Sequence, residues 1–88
     1  MIEREVTIVN PLGLHARPAS QFVRLAGKFD AQIEVANDSM AVNGKSIMGV
    51  MMLAAECGSV LRIRAEGRDA EEAVNALADL VERGFGES

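Results

Sequence analysis

Hydrophobic residues recur along the chain with two periods, which together predict four strands and three helices. Alternation of apolar and polar residues predicts strands at residues 2–9, 32–35 and 60–66, and the turn residues Asn37-Asp38-Ser39 predict a short return strand at 40–43. Apolar residues spaced three and four apart predict a first helix at about residues 16–27, and the apolar run at 47–55 predicts a second. A third helix is predicted by one apolar stripe, which consists of Ala73, Val74, Leu77, Leu80 and Val81. Short strands interspersed with helices in this order indicate an α+β two-layer sandwich, with the helices on one face of an antiparallel sheet.

Residues at the predicted ends of these elements have the chemistry of caps. Ser46 is a good N-cap for the second helix. Asp69, with Glu72 three residues later, is a capping-box arrangement for the third helix, which Gly84 closes. The Gly-Phe-Gly-Glu-Ser end that follows is expected to be frayed.

Length and charge narrow the classes of function. The chain has 88 residues, so we expect one domain over residues 1–88. A net charge of -4 opposes binding to phosphate backbones, and an aromatic content of 3% offers no platform for stacking bases, so nucleic acid is not expected as a partner. The sequence shows no signal peptide and no long apolar run, which predicts a cytoplasmic protein without membrane insertion.

The only histidine, His15, is predicted to lie at the start of the first helix, just after a turn that contains Gly13. Unpaired backbone N–H groups and the positive end of the helix dipole would disfavour the imidazolium ion there and keep a nucleophilic nitrogen free. A neutral imidazole can accept a phosphoryl group, and the same N–H donors would then bind the anion. Arg17 would add a planar pair of charge-assisted hydrogen bonds.

Other roles for His15 are compatible with the residues alone. It could be a plain cap or surface residue, since one histidine near an arginine is a weak motif. A Cys–His nucleophilic pair with Cys57 is also open, because distance along the sequence does not exclude contact. A metal site is disfavoured, since one His and one Cys cannot supply three or four ligands, and no tightly bound cofactor is expected.

Ser46 follows Asn43-Gly44-Lys45, which has the appearance of the end of a P-loop. Ser39 stands where that motif requires its first glycine, so the motif fails. What remains is a hydroxyl at a helix N-terminus, where a phosphate of about -1.5 to -2 charge would meet free N–H groups without unfolding the helix. Ser46 is therefore either a regulatory phosphoacceptor or an ordinary N-cap serine.

The second helix has more apolar residues than one buried face requires. Burial of Val50 and Leu53 on one side leaves an opposite face made of Ile47, Met48, Met51 and Met52. An exposed methionine-rich surface adapts to several partners, which indicates a docking surface. The alternatives are that these methionines fill an irregular core or a dimer interface.

Two motifs carry a resemblance that spans essentially the whole chain. The first is Gly13-Leu14-His15-Ala16-Arg17-Pro18-Ala19-Ser20, and the second is Lys45-Ser46-Ile47-Met48-Gly49-Val50-Met51-Met52-Leu53-Ala54. Together, at this separation, they resemble the HPr family, the histidine-containing phosphocarriers of the bacterial phosphoenolpyruvate-dependent phosphotransferase system. The resemblance implies an open-faced sandwich in which three helices cover one face of a four-stranded antiparallel sheet of strand order 1-4-2-3.

The resemblance also implies a carrier in a phosphoryl relay rather than an enzyme with its own turnover. His15 would take phosphate on Nδ1 from the phosphohistidine of enzyme I and pass it to A components, with Arg17 binding the phosphoryl group. Ser46 would be modified by HPr kinase/phosphorylase, which some bacteria lack. Ile47, Met48 and Met51 would contact partners, and a transfer surface that must stay free favours a monomer.

The chain departs from the family pattern in its charge near the site. Positions 27 and 49 are both Gly, where family members often carry lysines around the active surface. The nearby positive charge rests mainly on Arg17, Arg24, Lys28 and Lys45. Electrostatic steering of partners is therefore expected to be modest. Two other interpretations stay open: a regulatory branch of the same family, and a binding module that holds an effector at the sheet face without covalent phosphorylation.

Overall fold

The computed structural model describes residues 1–87, which contain four strands, three α-helices and one short 3₁₀ helix. The strands are β1 (Ile2–Thr7), β2 (Gln32–Ala36), β3 (Ala41–Asn43) and β4 (Val60–Glu66). The helices are α1 (Ala16–Ala26), α2 (Ile47–Met52) and α3 (Ala70–Glu82), and the 3₁₀ helix is Gly84–Gly86. Among residues 1–87, none of the helices has the length and hydrophobicity of a membrane-spanning segment.

The strands form one antiparallel sheet of order β1-β4-β2-β3, which confirms the expected topology. Arg64, in the central strand β4, lies directly opposite Glu3 of β1 and Glu34 of β2. Its guanidinium donates from Nε to Glu3 at 2.8 Å and from Nη1 to Glu34 at 3.0 Å. Cross-strand pairs of opposite charge favour this register and keep the uncovered face of the sheet polar.

The hydrophobic core lies between the other face of the sheet and the helices. Leu61, Ile63 and Ala65 alternate inward along β4. Pro18, Ala19, Phe22 and Ala26 are the buried residues of α1. The stripe predicted for the third helix is confirmed, because α3 buries Ala70, Ala73, Val74, Leu77, Ala78, Leu80 and Val81. Burial of these side chains supplies most of the favourable free energy of folding.

Two elements end earlier than the hydrophobic pattern predicts. β1 stops at Thr7 rather than at residue 9, although Ile8 is buried and still donates to the backbone oxygen of Ser59 at 2.9 Å. α2 stops at Met52 rather than near residue 55, because the chain turns at Ala54, whose φ of 48° lies in the left-handed region. This turn leads the chain towards the loop in front of α1.

The C-terminal segment is folded onto the core, so the prediction of a frayed end was wrong for the residues that the structure describes. Phe85, in the 3₁₀ helix, is buried with only 4% of its surface exposed. Glu87 follows and is half-buried. Burial of one aromatic ring is favourable enough to offset the conformational freedom of the flanking glycines. Ser88, the last residue of the predicted tail, lies outside the described residues.

Asp69 precedes α3, as predicted, but the capping-box prediction was wrong. Its side chain makes no hydrogen bond to its own helix. The carboxylate instead accepts from the backbone N–H groups of Asp30 at 2.9 Å and Ala31 at 2.8 Å, just before β2. These donors, that of Asp30 foremost, hold the pKa of the Asp69 carboxyl below its usual value, because they stabilise the ionised form.

A depressed pKa in the folded state makes the contribution of Asp69 to stability dependent on pH. The contribution is present above the unfolded-state pKa and is lost as the pH falls below about 4. Asp69→Asn should therefore lower the urea midpoint of unfolding at pH near 7, and this difference should shrink towards pH near 3. Asp38→Asn, at an exposed turn, is the control. If Asp69→Asn lowers the urea midpoint by the same amount across this pH range, the depressed pKa of Asp69 does not contribute to stability as proposed.

Candidate functional site

His15 is the N-cap residue of α1, as the sequence predicts. Its backbone is extended, with φ of -77° and ψ of -172°, and its carbonyl oxygen accepts from Ala19 N at 3.0 Å. The imidazole makes no capping hydrogen bond, and 37% of the side chain is exposed. The helix therefore fixes the backbone of His15 while its ring stays accessible at the surface.

The loop in front of His15 is held by close backbone contacts. Leu14 N donates to the carbonyl oxygen of Ala55, just after α2, at 2.8 Å, and the Leu14 side chain is buried. Gly13 has a φ of +72°, and a Cβ built there would lie 2.6 Å from the same Ala55 oxygen. Only glycine satisfies both the positive φ and this close approach. The loop between β1 and α1 therefore leads into His15 with one defined geometry.

Asn10 is the buried polar residue of this loop, with 2% of its surface exposed. Its Nδ2 donates to the carbonyl oxygen of Gly13 at 2.8 Å and to Oε1 of Glu87 at 3.0 Å. Both contacts are with oxygen atoms, which fixes the orientation of the amide. Its Oδ1 has no hydrogen-bond partner within residues 1–87. Asn10 thus joins the loop in front of α1 to the C-terminal segment.

Glu87 contacts the imidazole directly and is the site residue that the sequence analysis missed. Nε2 of His15 lies 2.9 Å from Oε2 and 3.2 Å from Oε1 of Glu87. Nδ1 has no hydrogen-bond partner among residues 1–87, so the carboxylate occupies one ring nitrogen and leaves the other free. The one sequence signal for this arrangement is Phe85, an aromatic residue inside a segment that otherwise has the composition of a loose tail.

Arg17 lies in the same surface depression as His15, on the first turn of α1. The depression is lined by Pro11, Leu12, His15, Ala16, Arg17, Gln21, Phe85, Gly86 and Glu87. The Arg17 side chain is exposed there. A guanidinium in this position, beside the free start of a helix, is suited to binding an anion placed at the imidazole.

Ser46 is the N-cap of α2, and this prediction is confirmed. Its Oγ accepts from Gly49 N at 3.1 Å, and the residue is half-buried. One lone pair of the hydroxyl is used in the cap. Its role as a regulatory acceptor remains a prediction.

The outer face of α2 is hydrophobic and exposed, as the spacing predicts. Val50 and Leu53 are buried. The exposed residues, which we call the α2 patch, are Ile47, Met48, Met51 and Met52. Met48 is the most accessible of them, at 73%. The methionines therefore do not fill the core, and α2 packs against α1, which carries His15 at its start.

Cys57 does not pair with the imidazole. Its exposed thiol lies 3.7 Å from the backbone oxygen of Val9, whereas the ring of His15 contacts Glu87. Within the described part of the chain, no group of three or more His, Cys, Asp or Glu side chains is arranged to hold a metal ion.

Similar proteins share this fold over nearly the whole chain. The family described as "PTS HPr component phosphorylation site" matches residues 2–83. Phosphocarrier protein HPr of Cupriavidus necator is 46% identical over 87 residues, which are 99% of this chain and 98% of that protein. The crystal structure of HPr-C-His from Thermoanaerobacter tengcongensis has a TM-score of 0.95 at 52% identity and covers 100% of this chain and 99% of its own. An HPr dimer from the same organism has a TM-score of 0.79 at 53% identity, covering 99% and 100%. With its sheet order, its surface histidine at the start of α1 and these similarities, the chain belongs to the HPr family of phosphocarrier proteins of the phosphotransferase system.

Proposed function

We propose that His15 is a reversible phosphoryl acceptor, which receives phosphate from the phosphohistidine of enzyme I and passes it to A components for sugar uptake or regulation. The observation that supports this most is that Nε2 contacts Glu87 while Nδ1 is left without a partner among residues 1–87. Members of the family are phosphocarriers, that is, relay components rather than enzymes. We further propose that residues 1–88 act as one cytoplasmic domain.

The start of α1 offers donors for the phosphoryl oxygens. Pro18 has no N–H, and that of Ala19 donates to the carbonyl oxygen of His15. The first N–H groups of the helix, those of Ala16 and Arg17, have no partner within the helix. The positive end of the helix dipole favours an anion at this position, and the Arg17 guanidinium can add two parallel charge-assisted hydrogen bonds.

Transfer exchanges one P–N bond for another. The lone pair of Nδ1 attacks phosphorus, the bond from phosphorus to the histidine of enzyme I breaks, and its electron pair returns to that ring. Donor and product are both phosphoimidazoles, so the step is close to balanced in free energy. The same chemistry in reverse allows His15 to act as a donor, which is what a relay requires.

Incubation with enzyme I and phosphoenolpyruvate should add one phosphate to this chain, measured as intact mass. The phosphate should be lost in mild acid, because protonation of the phosphoimidazole weakens its P–N bond. His15→Ala should gain no mass, whereas Gln21→Ala, in the same depression, should be labelled like the natural chain. A phosphate on His15→Ala, or none on the natural chain when a known carrier is labelled in parallel, would overturn the proposal.

We propose that Ser46 is a regulatory site for HPr kinase/phosphorylase. Ser46 is half-buried, and its Oγ lies at the start of α2, where backbone N–H groups would face an added phosphate. The phosphate would lie beside Ile47 and Met48 of the α2 patch. Negative charge there opposes docking of an acidic partner surface and so slows transfer.

The charge effect is measured with Ser46→Asp and Ser46→Ala. The rate of transfer from phosphorylated enzyme I at low salt should fall roughly tenfold for Ser46→Asp relative to Ser46→Ala, because the carboxylate adds like-charge repulsion at the interface. Raising the salt concentration should reduce the difference in transfer rate between Ser46→Asp and Ser46→Ala, because salt screens the repulsion. Ser39→Asp, at the exposed β2–β3 turn, controls for the added charge. Equal rates for the two Ser46 variants at low salt would exclude this mechanism.

We propose that the α2 patch is the docking surface for enzyme I and for the A components. Its flexible, unbranched methionine side chains suit a surface that binds several partners in turn. Positive charge contributes less, since the nearby cations are few and two of them are held by local contacts: Arg24 donates to Ser20, and Lys45 donates to the backbone oxygen of Phe29. The same surface must be free for each partner, so we propose that the working form is a monomer. A mass of twice the chain in sedimentation would contradict this.

Met48→Ala tests the docking role. Affinity for enzyme I should fall roughly five- to tenfold, as calorimetry would measure, because an exposed contact residue is truncated. The thermal unfolding midpoint should be nearly unchanged, since Met48 is 73% exposed. Met40→Ala, at the β2–β3 turn, is the matched control and should leave affinity unchanged. A Met48→Ala variant that binds like the natural chain would show that docking uses another surface.

A further inference from the structure

The side-chain carboxylate of Glu87 makes the closest polar contact to the histidine ring. We propose that Glu87 is a positioning residue for phosphoryl transfer: it holds the ring through Nε2–H and stabilises the ring once Nδ1 is phosphorylated. The proposal rests on the proposed function of His15, and deepens it. It starts from the distances of 2.9 and 3.2 Å between Nε2 and the two carboxylate oxygens.

The chain is built to bring Glu87 to this point. Gly84, Phe85 and Gly86 have successive φ values of 67°, 58° and 75°, so the backbone turns sharply after α3. A left-handed conformation is unfavourable for Phe by roughly 1 kcal/mol or more. Burial of the Phe85 ring offsets this, and it anchors the segment on the core two residues before Glu87. The carboxylate is therefore placed by packing rather than by a loose tail.

Asn10 fixes the carboxylate from the other side. Its Nδ2 donates at 3.0 Å to Oε1 of Glu87 and at 2.8 Å to the carbonyl oxygen of Gly13. One buried amide thus links the loop before His15 to the residue that contacts the ring of His15. Only 18% of the Glu87 side chain is exposed, so water screens its interaction with the ring less than at an open surface.

In the resting protein, the carboxylate acts on the ring as an acceptor. The neutral imidazole carries one N–H, and an acceptor at Nε2 favours the tautomer with the proton there. Nδ1 then carries the lone pair that attacks phosphorus. The ring orientation is also fixed, because rotation about the side-chain bonds would break the contact with Oε2.

Phosphorylation places positive charge next to the same carboxylate. When Nδ1 of the neutral ring forms its bond to phosphorus, the proton stays on Nε2 and the ring becomes a phosphoimidazolium. Glu87 then faces N–H⁺ with a carboxylate and favours this protonated form. The protonated form is the better leaving group, so Glu87 keeps the phosphohistidine ready to transfer. The charged groups that line the depression are Glu87 and Arg17, within the part of the chain that the structure describes.

The hydrogen bond can be measured without any phosphoryl transfer. In the resting protein at neutral pH, the Nε2 proton of His15 should be visible by ¹⁵N-edited NMR as a slowly exchanging signal, because an acceptor protects it. The signal should disappear in Glu87→Ala and persist in Glu66→Gln, which removes a carboxylate from an exposed position in β4. A signal that is equally strong in Glu87→Ala would overturn the proposal.

Two variants of Glu87 separate its orienting effect from its charge. In Glu87→Gln, one amide oxygen can still accept from Asn10 and His15, since Oε1 lies within 3.2 Å of both donors. The variant loses only the negative charge. Transfer from enzyme I should fall roughly three- to tenfold in Glu87→Ala, the effect of losing one hydrogen bond, and recover towards the natural rate in Glu87→Gln.

The charge effect is measured by the pH profile for hydrolysis of the phosphorylated chain. Without the carboxylate, the protonated phosphoimidazole is less stable, so the rise in hydrolysis rate should shift to lower pH in both Glu87 variants. A loss of packing alone would not move this profile in Glu87→Gln. If the hydrolysis profiles of Glu87→Ala and Glu87→Gln coincide with those of the natural chain and Glu66→Gln, the proposed charge effect is overturned.

These experiments distinguish two failures. If the natural chain accepts no phosphate from enzyme I, the proposed function fails, while the Nε2 proton signal still tests the contact between Glu87 and His15. If the chain is phosphorylated on His15 but neither the signal nor the hydrolysis profile responds to Glu87, the positioning role fails and the proposed function stands.

Discussion

The contact between the loop in front of α1 and the turn after α2 is the constraint on which the site depends. Leu14 N donates to the Ala55 oxygen at 2.8 Å, and Gly13 passes this oxygen so closely that a Cβ would lie 2.6 Å from it. This backbone contact fixes where α1 begins. It therefore fixes the backbone of His15, whose ring is left 37% exposed above the helix start. A rigid backbone with an accessible ring is what a residue needs if it is to meet several partners in one geometry.

The same contact joins the two proposed functions. α2 ends early because the chain turns at Ala54, and that turn delivers Ala55 to Leu14. The helix that Ser46 caps therefore leads into the turn that contacts the loop of the proposed phosphoacceptor, and α1 and α2 pack against one another. A charge added at Ser46 does not need to change the fold in order to affect transfer. Under the proposed docking, it acts through the surface that both sites would share with a bound partner.

Most of the fold could be predicted from local pattern, and the errors have physical reasons. The periodicity of β4 and α3 identifies their buried faces because alternation and helical spacing are local properties of the sequence. The sequence also places His15 and Ser46 at helix starts. Asp69 was assigned to its own helix, whereas it binds the backbone before β2, because nothing local shows which N–H groups a carboxylate will meet. Glu87 was assigned to a frayed end because its contact with His15 spans 72 positions.

The most direct test is to identify which ring nitrogen of His15 carries the phosphate. Nε2 of His15 contacts Glu87, which leaves Nδ1 as the proposed acceptor. On a chain labelled with ¹⁵N in its histidine and phosphorylated by enzyme I, coupling between ³¹P and ¹⁵N identifies the bonded atom. We expect coupling to Nδ1 alone. Coupling to Nε2 would require the contact with Glu87 to be broken before transfer and would contradict the account.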